Sequence, residues 1–155
     1  MKNRSSEFTR GAKLTSLAIA FLLSACAGTP GNIGVRDGDL KPCPSSPNCV
    51  SSAELNSHSV AAFNLKMPPD QAILKIAQVL NDQPRVTVDR QYQKYIHAEF
   101  TSAVFRFVDD VEFYAHDDGV LSVRSASRIG YSDLGANRAR VERLRVLFSE
   151  KGIIQ

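Results

Sequence analysis

The first 25 residues decide how much of this 155-residue chain is left to fold. Lys2, Arg4, Arg10 and Lys13 stand against the single acid Glu7, and residues 14–23 follow as an apolar run broken only by Thr15 and Ser16. A basic stretch followed by about ten apolar residues has the layout of a secretory signal. It falls well short of the roughly 20 residues that a helix needs to cross a bilayer. The expectation is an exported precursor that loses residues 1–25 and keeps about 130, enough for one domain around one core.

The apolar run ends at Leu23, Ser24, Ala25 and Cys26. These resemble the bacterial lipobox, in which small residues precede a cysteine that is acylated and becomes the first residue of the mature chain. Cys26 is therefore the expected lipidation site, and several acyl chains at about 0.8 kcal/mol per buried methylene hold a protein at a membrane stably. Ala27, rather than Asp, follows the cysteine, a pattern that points to the periplasmic face of the outer membrane if the cell is Gram-negative. Removing the signal also changes the charge. The whole chain has 19 basic and 16 acidic residues, and subtracting four and one leaves 15 and 15. A neutral domain has no electrostatic footprint for nucleic acid, so the expected partners are the membrane, through the lipid, and an anionic envelope ligand.

Residues 26–39, rich in glycine and with little to bury, read as a flexible tether that lifts a single domain, residues 40–155, off the membrane. Gly28, Gly31 and Gly34 follow no strand and open no helix, which argues against a phosphate cradle. With Cys26 lipidated, Cys43 and Cys49 remain as an even pair in an oxidising compartment, and a disulfide is the default reading. Their spacing is not the Cys-x-x-Cys of a redox pair, and two further ligands for zinc are missing nearby.

Periodicity then sets the architecture. A strand is expected over residues 59–65, and Pro68 and Pro69 open a helix that buries Ile73, Ile76, Ala77 and Leu80. Alternation at period two predicts strands over residues 85–89, 95–101, 104–114 and 120–125. Their inward sets are Val86 and Val88; Ile96, Ala98 and Phe100; Phe105, Phe107, Val111 and Phe113; and Leu121 and Val123. His97 and Glu99 point the other way, as do Arg106, Asp110, Glu112 and Arg124, which read as exposed ion pairs across strands worth 0 to about 1 kcal/mol each. Asp109 is the exception, a carboxylate on the core side, which requires a cation or several donors. Asp118-Gly119 suits a type I′ hairpin. A last helix, from residue 134 or 136 to 151 and stopped by Gly152, buries Asn137, Val141, Leu144 and Phe148, with Arg138, Arg140, Arg143 and Arg145 on its solvated sides. The expected class is α+β: an antiparallel sheet of four to five strands with two helices packed on one face.

The strings CPSSPNCVSS, FVDDVEF and VRSASRIGYSDLGANRARVERLR, in this order, resemble the bacterial family catalogued as domain of unknown function 1499. The likeness runs from about Leu40 to Phe148 and departs from the family pattern at ELNSHSVAAFNL, where a proline is expected. It implies a small exported or membrane-associated domain and brings no activity with it.

Two constellations are candidates for chemistry. Arg124, Ser125, Ser127, Arg128, Tyr131, Asp133, Asn137 and Arg138 combine guanidinium forks, hydroxyls and a helix start, a composition suited to an anion. Asp109, Asp110 and Glu112 form an acidic cluster, and a hydrolase using them with His116 is the alternative. Adjacent Asp109 and Asp110 point to opposite faces of a regular strand, and no nucleophile elbow or zinc signature accompanies them. A non-catalytic binding or structural domain, without cofactor or metal, is the preferred expectation. In the competing internal arrangement the acids take up the arginines, with Arg128 pairing to Asp109.

Overall fold

A computed structural model describes residues 28–155. Two short strands, β1 (Val35–Arg36) and β2 (Asp39–Leu40), pair as a small antiparallel hairpin. The main sheet contains β3 (Cys49–Ser51), β4 (Phe63–Asn64), β5 (Val86–Gln91), β6 (Tyr95–Thr101), β7 (Val108–Ala115) and β8 (Val120–Ser127). Its order is β3-β8-β7-β6-β5, with β4 on the same edge of β8 as β3 but at the other end of the strand, and all pairs are antiparallel. Two helices, α1 (Pro69–Asn81) and α2 (Ala136–Glu150), complete an α+β domain. The sheet has six strands, more than expected, because β3, at three residues, is too short to leave a period-two signal.

Both helices bury the faces that their spacing predicts. Ile73, Ile76, Ala77 and Leu80 of α1, and Val141, Leu144 and Phe148 of α2, share one core with Ile96, Ala98, Val111, Phe113 and Val123 of the sheet. Those sheet residues alternate along their strands and so lie on one face. Phe63, Phe113 and Phe148 form a three-ring cluster, with centroids 6.3 Å (Phe63–Phe113), 5.5 Å (Phe113–Phe148) and 6.2 Å (Phe63–Phe148) apart. Proline at the start of α1 needs no amide partner there, and Gly152 leaves α2 with a left-handed φ of 66°. Ile153 and Ile154 then return to the core, a contribution that the helix pattern does not announce.

Four expectations change. The strand over residues 59–65 shrinks to Phe63–Asn64. The strand over residues 104–114 begins only at Val108, because Thr101 pairs with Val108 and residues 102–107 form the hairpin loop between them. Phe105 and Phe107 are consequently exposed rather than buried. The β7–β8 turn is not type I′, since Gly119 but not Asp118 has positive φ; the Gly119 amide donates to the His116 carbonyl at 3.2 Å, as in a type I turn closed by a left-handed glycine. Finally, part of the stretch expected to be a tether is folded: β1 and β2 lie over the outer face of β7 and β8, and Leu40 is buried.

Candidate functional site

The sheet face opposite the core carries a buried polar layer. Register places His97 opposite Glu112 and Glu112 opposite Arg124, with Glu99 opposite Asp110 in the next row. Side chains directly across strands are in contact. His97 Nε2 meets Asp110 Oδ1 at 2.7 Å, and its Nδ1 meets Asp89 Oδ2 at 3.1 Å. Asp89 reaches it because the β5–β6 register shifts between Val88 and Arg90, a bulge that turns its carboxylate onto the ring. Arg128 donates Nε to both oxygens of Asp110 at 3.1 Å, and its Nη2 reaches Asp110 and Glu99. Beside this chain, Arg124 Nη1 donates to Glu112 Oε2 at 2.7 Å, while the Tyr95 hydroxyl and the Gly34 amide donate to Glu112 Oε1 at 2.8 Å and 2.6 Å.

Burial alone pushes the His97 imidazole toward its neutral form. The hydrogen bond and charge of Asp110, with Asp89 behind them, outweigh it and hold the His97 pKa above its ordinary value. Burial likewise raises Asp110, but hydrogen bonds from His97 and Arg128 bring it below the usual carboxylate range. Burial beside Glu112 pushes the Tyr95 phenol far up, so it stays a donor. One donor is left over: Arg124 Nε is buried without a hydrogen-bond partner among the described residues.

A second network lies where β8 enters α2, on the helix side. Asp109, in the core-facing register between Phe100 and Ser127, pairs with Arg140 Nη2 of α2. Arg140 Nη1 also donates to Ser125 Oγ at 3.0 Å, and Ser125 Oγ donates to Asn137 Oδ1 at 2.6 Å. The Asn137 amide nitrogen donates to Ser127 Oγ at 3.0 Å and to the Asn48 carbonyl at 2.9 Å. Asp133 caps the helix start by accepting from the Gly135 and Asn137 amides at 3.0 Å and 2.7 Å, bonds that outweigh burial and lower its pKa. The Cys43–Cys49 disulfide is present and closes the loop that carries Asn48.

These contacts redistribute the expected constellations. Asp110, Glu112 and Arg124 are on the predicted face, yet all three are buried rather than exposed, because the β1–β2 hairpin and the chain around Gly28 cover that face. Asp109 has the cation that its position demands, but the cation is Arg140, and Arg128 instead serves Asp110 on the other face. Arg138 donates to the Ser57 and Ser59 carbonyls and Arg145 to those of Ala61 and Ala62, so α2's arginines are not a simple solvated face. Of the proposed anion-binding set, Tyr131 is exposed and has no polar side-chain contact among the described residues. The hydrolase set does not assemble: His116 sits at the far end of β7, roughly 20 Å from Asp109 at strand rise, against Ser122 Oγ at 2.8 Å. Among the described residues no three His, Cys, Asp or Glu side chains are grouped to hold a metal ion. Sequence reasoning missed Asp89, Tyr95, His97, Glu99, Asn48 and Arg140 as network members. The alternation that put His97 and Glu99 on the same face as Asp110 and Glu112 was the available signal for two of them.

A model of one protein family, described as a protein of unknown function (DUF1499), matches residues 39–148, well over half of the chain. The chain belongs to this family. The DUF1499 span takes in the whole six-stranded sheet, α1 and most of α2, and every side chain of both networks falls inside it. No curated protein and no solved structure matches the chain. For a DUF1499 domain without an assigned activity, function has to be argued from geometry. The lipidation expected at Cys26 and the signal over residues 1–25 lie outside the described residues.

Proposed function

We propose that this DUF1499 chain is a cell-envelope lipoprotein, acylated at Cys26 and held at a membrane, whose globular domain has a structural or binding role without catalysis. The observation that carries the non-catalytic reading is the mutual use of its ionisable groups. Asp109 is held by Arg140, Asp110 by His97 and Arg128, and Glu112 by Arg124 and Tyr95. A catalytic acid or base has to meet substrate from a cleft, and these groups face one another under cover. An external anion at Arg128 would have to displace Asp110, and a buried carboxylate left alone costs roughly 3 to 5 kcal/mol. The lipoprotein reading rests on the basic stretch, the apolar run and the Leu-Ser-Ala-Cys end, and the balance of 15 basic and 15 acidic residues after Ala25 supports a domain with no affinity for nucleic acid.

Two measurements test this. The Cys26→Ala precursor should take up no radiolabelled palmitate and should leave the membrane fraction; unchanged labelling removes the anchor. Thermal unfolding with inorganic phosphate, or with divalent metals, should show an unchanged midpoint. A concentration-dependent rise reveals a site that binds the folded state and overturns the purely internal role of the networks.

A further inference from the structure

Two loops at one end of the sheet carry an exposed apolar cluster that the core does not use. Of the eleven large hydrophobic residues exposed among the described residues, six fall here: Val104, Phe105 and Phe107 in the β6–β7 loop, and Ile129, Tyr131 and Leu134 between β8 and α2. The loops are neighbours, since Thr101 pairs with Val108 and the Arg128 amide donates to the Val108 carbonyl at 3.3 Å. They are also firmly held. Asn48 Nδ2 donates to the Gly130 carbonyl and Asp133 caps α2, while the Phe107 amide donates to Ser102 Oγ at 2.9 Å. Phe105 is 71% exposed, Tyr131 77% and Leu134 96%, although the remaining large exposed hydrophobics are scattered singly over the rest of the domain. A concentration of this kind marks a contact surface.

The chain itself says what that surface meets. Gly28 lies against these loops: a Cβ there would come 3.2 Å from Arg128 Cβ and 3.4 Å from Ile129 Cγ2, and Arg128 Nη1 donates to the Gly28 carbonyl at 3.3 Å. Cys26 is two residues earlier, and two residues reach at most about 7 Å. Between lipid and domain that leaves little length for a spacer, since the chain is already held against Arg128 and Ile129 at Gly28. Charge agrees. Arg85, whose carbonyl accepts the Thr101 amide, and Arg106 are exposed at this end and make no ion pair among the described residues, whereas Glu99, Asp109, Asp110 and Asp133 nearby are taken up internally. Aromatic and aliphatic tips flanked by arginine are the composition of a surface that dips into the headgroup and acyl boundary.

We infer that the loops over residues 102–107 and 128–135 form a second, non-covalent membrane contact, which seats the domain on an anionic phospholipid surface beside its own lipid. The inference rests on acylation at Cys26. It turns the expected spacer into its opposite: the domain lies down on the bilayer, with the β5–β6 and β7–β8 turns directed away.

The chain contains no tryptophan, so one introduced at a loop tip reports alone. Full-length lipidated Phe105→Trp protein is reconstituted into phosphatidylethanolamine–phosphatidylglycerol vesicles and followed by flotation and fluorescence, with Tyr92→Trp in the β5–β6 turn as the distant control. The expected result is co-flotation, a blue-shifted Phe105→Trp emission and its loss by most of its intensity when the acyl chains are brominated, with Tyr92→Trp unchanged. Co-flotation with neither variant quenched overturns the inference and leaves the anchor standing. A blue shift without quenching places the loops against protein, a second copy included, and also overturns it. Failure to float, with no acyl mass on Cys26, overturns the anchor and the inference together.

Discussion

Arg128 is the residue on which the outer polar layer turns. Its guanidinium satisfies Asp110 and Glu99 together, with Asp110 almost fully buried. Removing one partner of a buried pair costs far more than the pair contributes. Arg128→Ala should therefore destabilise the domain by roughly 3 to 5 kcal/mol in denaturant unfolding, with Asp110→Asn restoring part of the loss and Asp109→Asn none, since Asp109 belongs to Arg140. A neutral Arg128→Ala protein makes that loop a ligand site instead. His97 adds a pH dependence. Its pKa is raised in the folded state from 6.5, so its contribution is complete below about pH 6.5 and disappears as pH rises through the higher folded value. Asp110, whose folded pKa is lowered from 3.8, contributes above that value and is lost as pH falls through the folded one. Melting temperature should thus decline as pH rises above about 6.5, and His97→Gln should flatten that decline. A wild-type midpoint that does not fall as pH is raised above about 6.5 contradicts the assignment.

Among the elements, the β1–β2 hairpin departs most from what its composition suggests. Val35–Arg36 and Asp39–Leu40 are only two residues each, yet they bring the Gly34 amide to Glu112 and bury Leu40. Deleting residues 28–38 should lower stability by about 1 to 3 kcal/mol, the cost of leaving a buried acceptor short of a donor, whereas removal of a true spacer changes nothing measurable. The disulfide acts on a single neighbouring loop. Closing so short a segment is worth about 2 kcal/mol in the chain-entropy account, so mild reduction of Cys43–Cys49 should soften the region around Asn48 and Gly130 without unfolding the sheet. Amide exchange that accelerates everywhere under reducing conditions contradicts that local role. The β6–β7 loop shows how a period fails: Phe105 and Phe107 continue the alternation of β7, but Arg106 at φ 58° breaks the strand between them and both rings are exposed.

At the scale of the whole molecule, β6, β7 and β8 are covered on both sides, by the helices on one and by the polar layer with its hairpin on the other. Amides of Ile96, Val111 and Val123 should therefore exchange slowest, approaching the global unfolding rate, while those of residues 103–106, inside the hydrogen-bonded pair Ser102 and Phe107, exchange much faster. The α+β class, both helices and their buried faces, the four longer strands and the Cys43–Cys49 pair could all be read from the chain, because each depends on local spacing, capping residues or a count of cysteines. The period-two pattern even placed Asp109 correctly on the core side. It carried no information about partners. Asp109 and Arg140 are 31 residues apart, and Asn48 and Gly130 are 82 apart, so their meeting depends on the order of the strands around β8 and the angle at which α2 crosses them. Alternation reports which of two faces a side chain takes, not whether something covers that face. Asp110, Glu112 and Arg124 therefore look like surface ion pairs in the sequence and become a buried layer only when two short strands and the Gly28 segment, too small to carry a pattern of their own, fold across them.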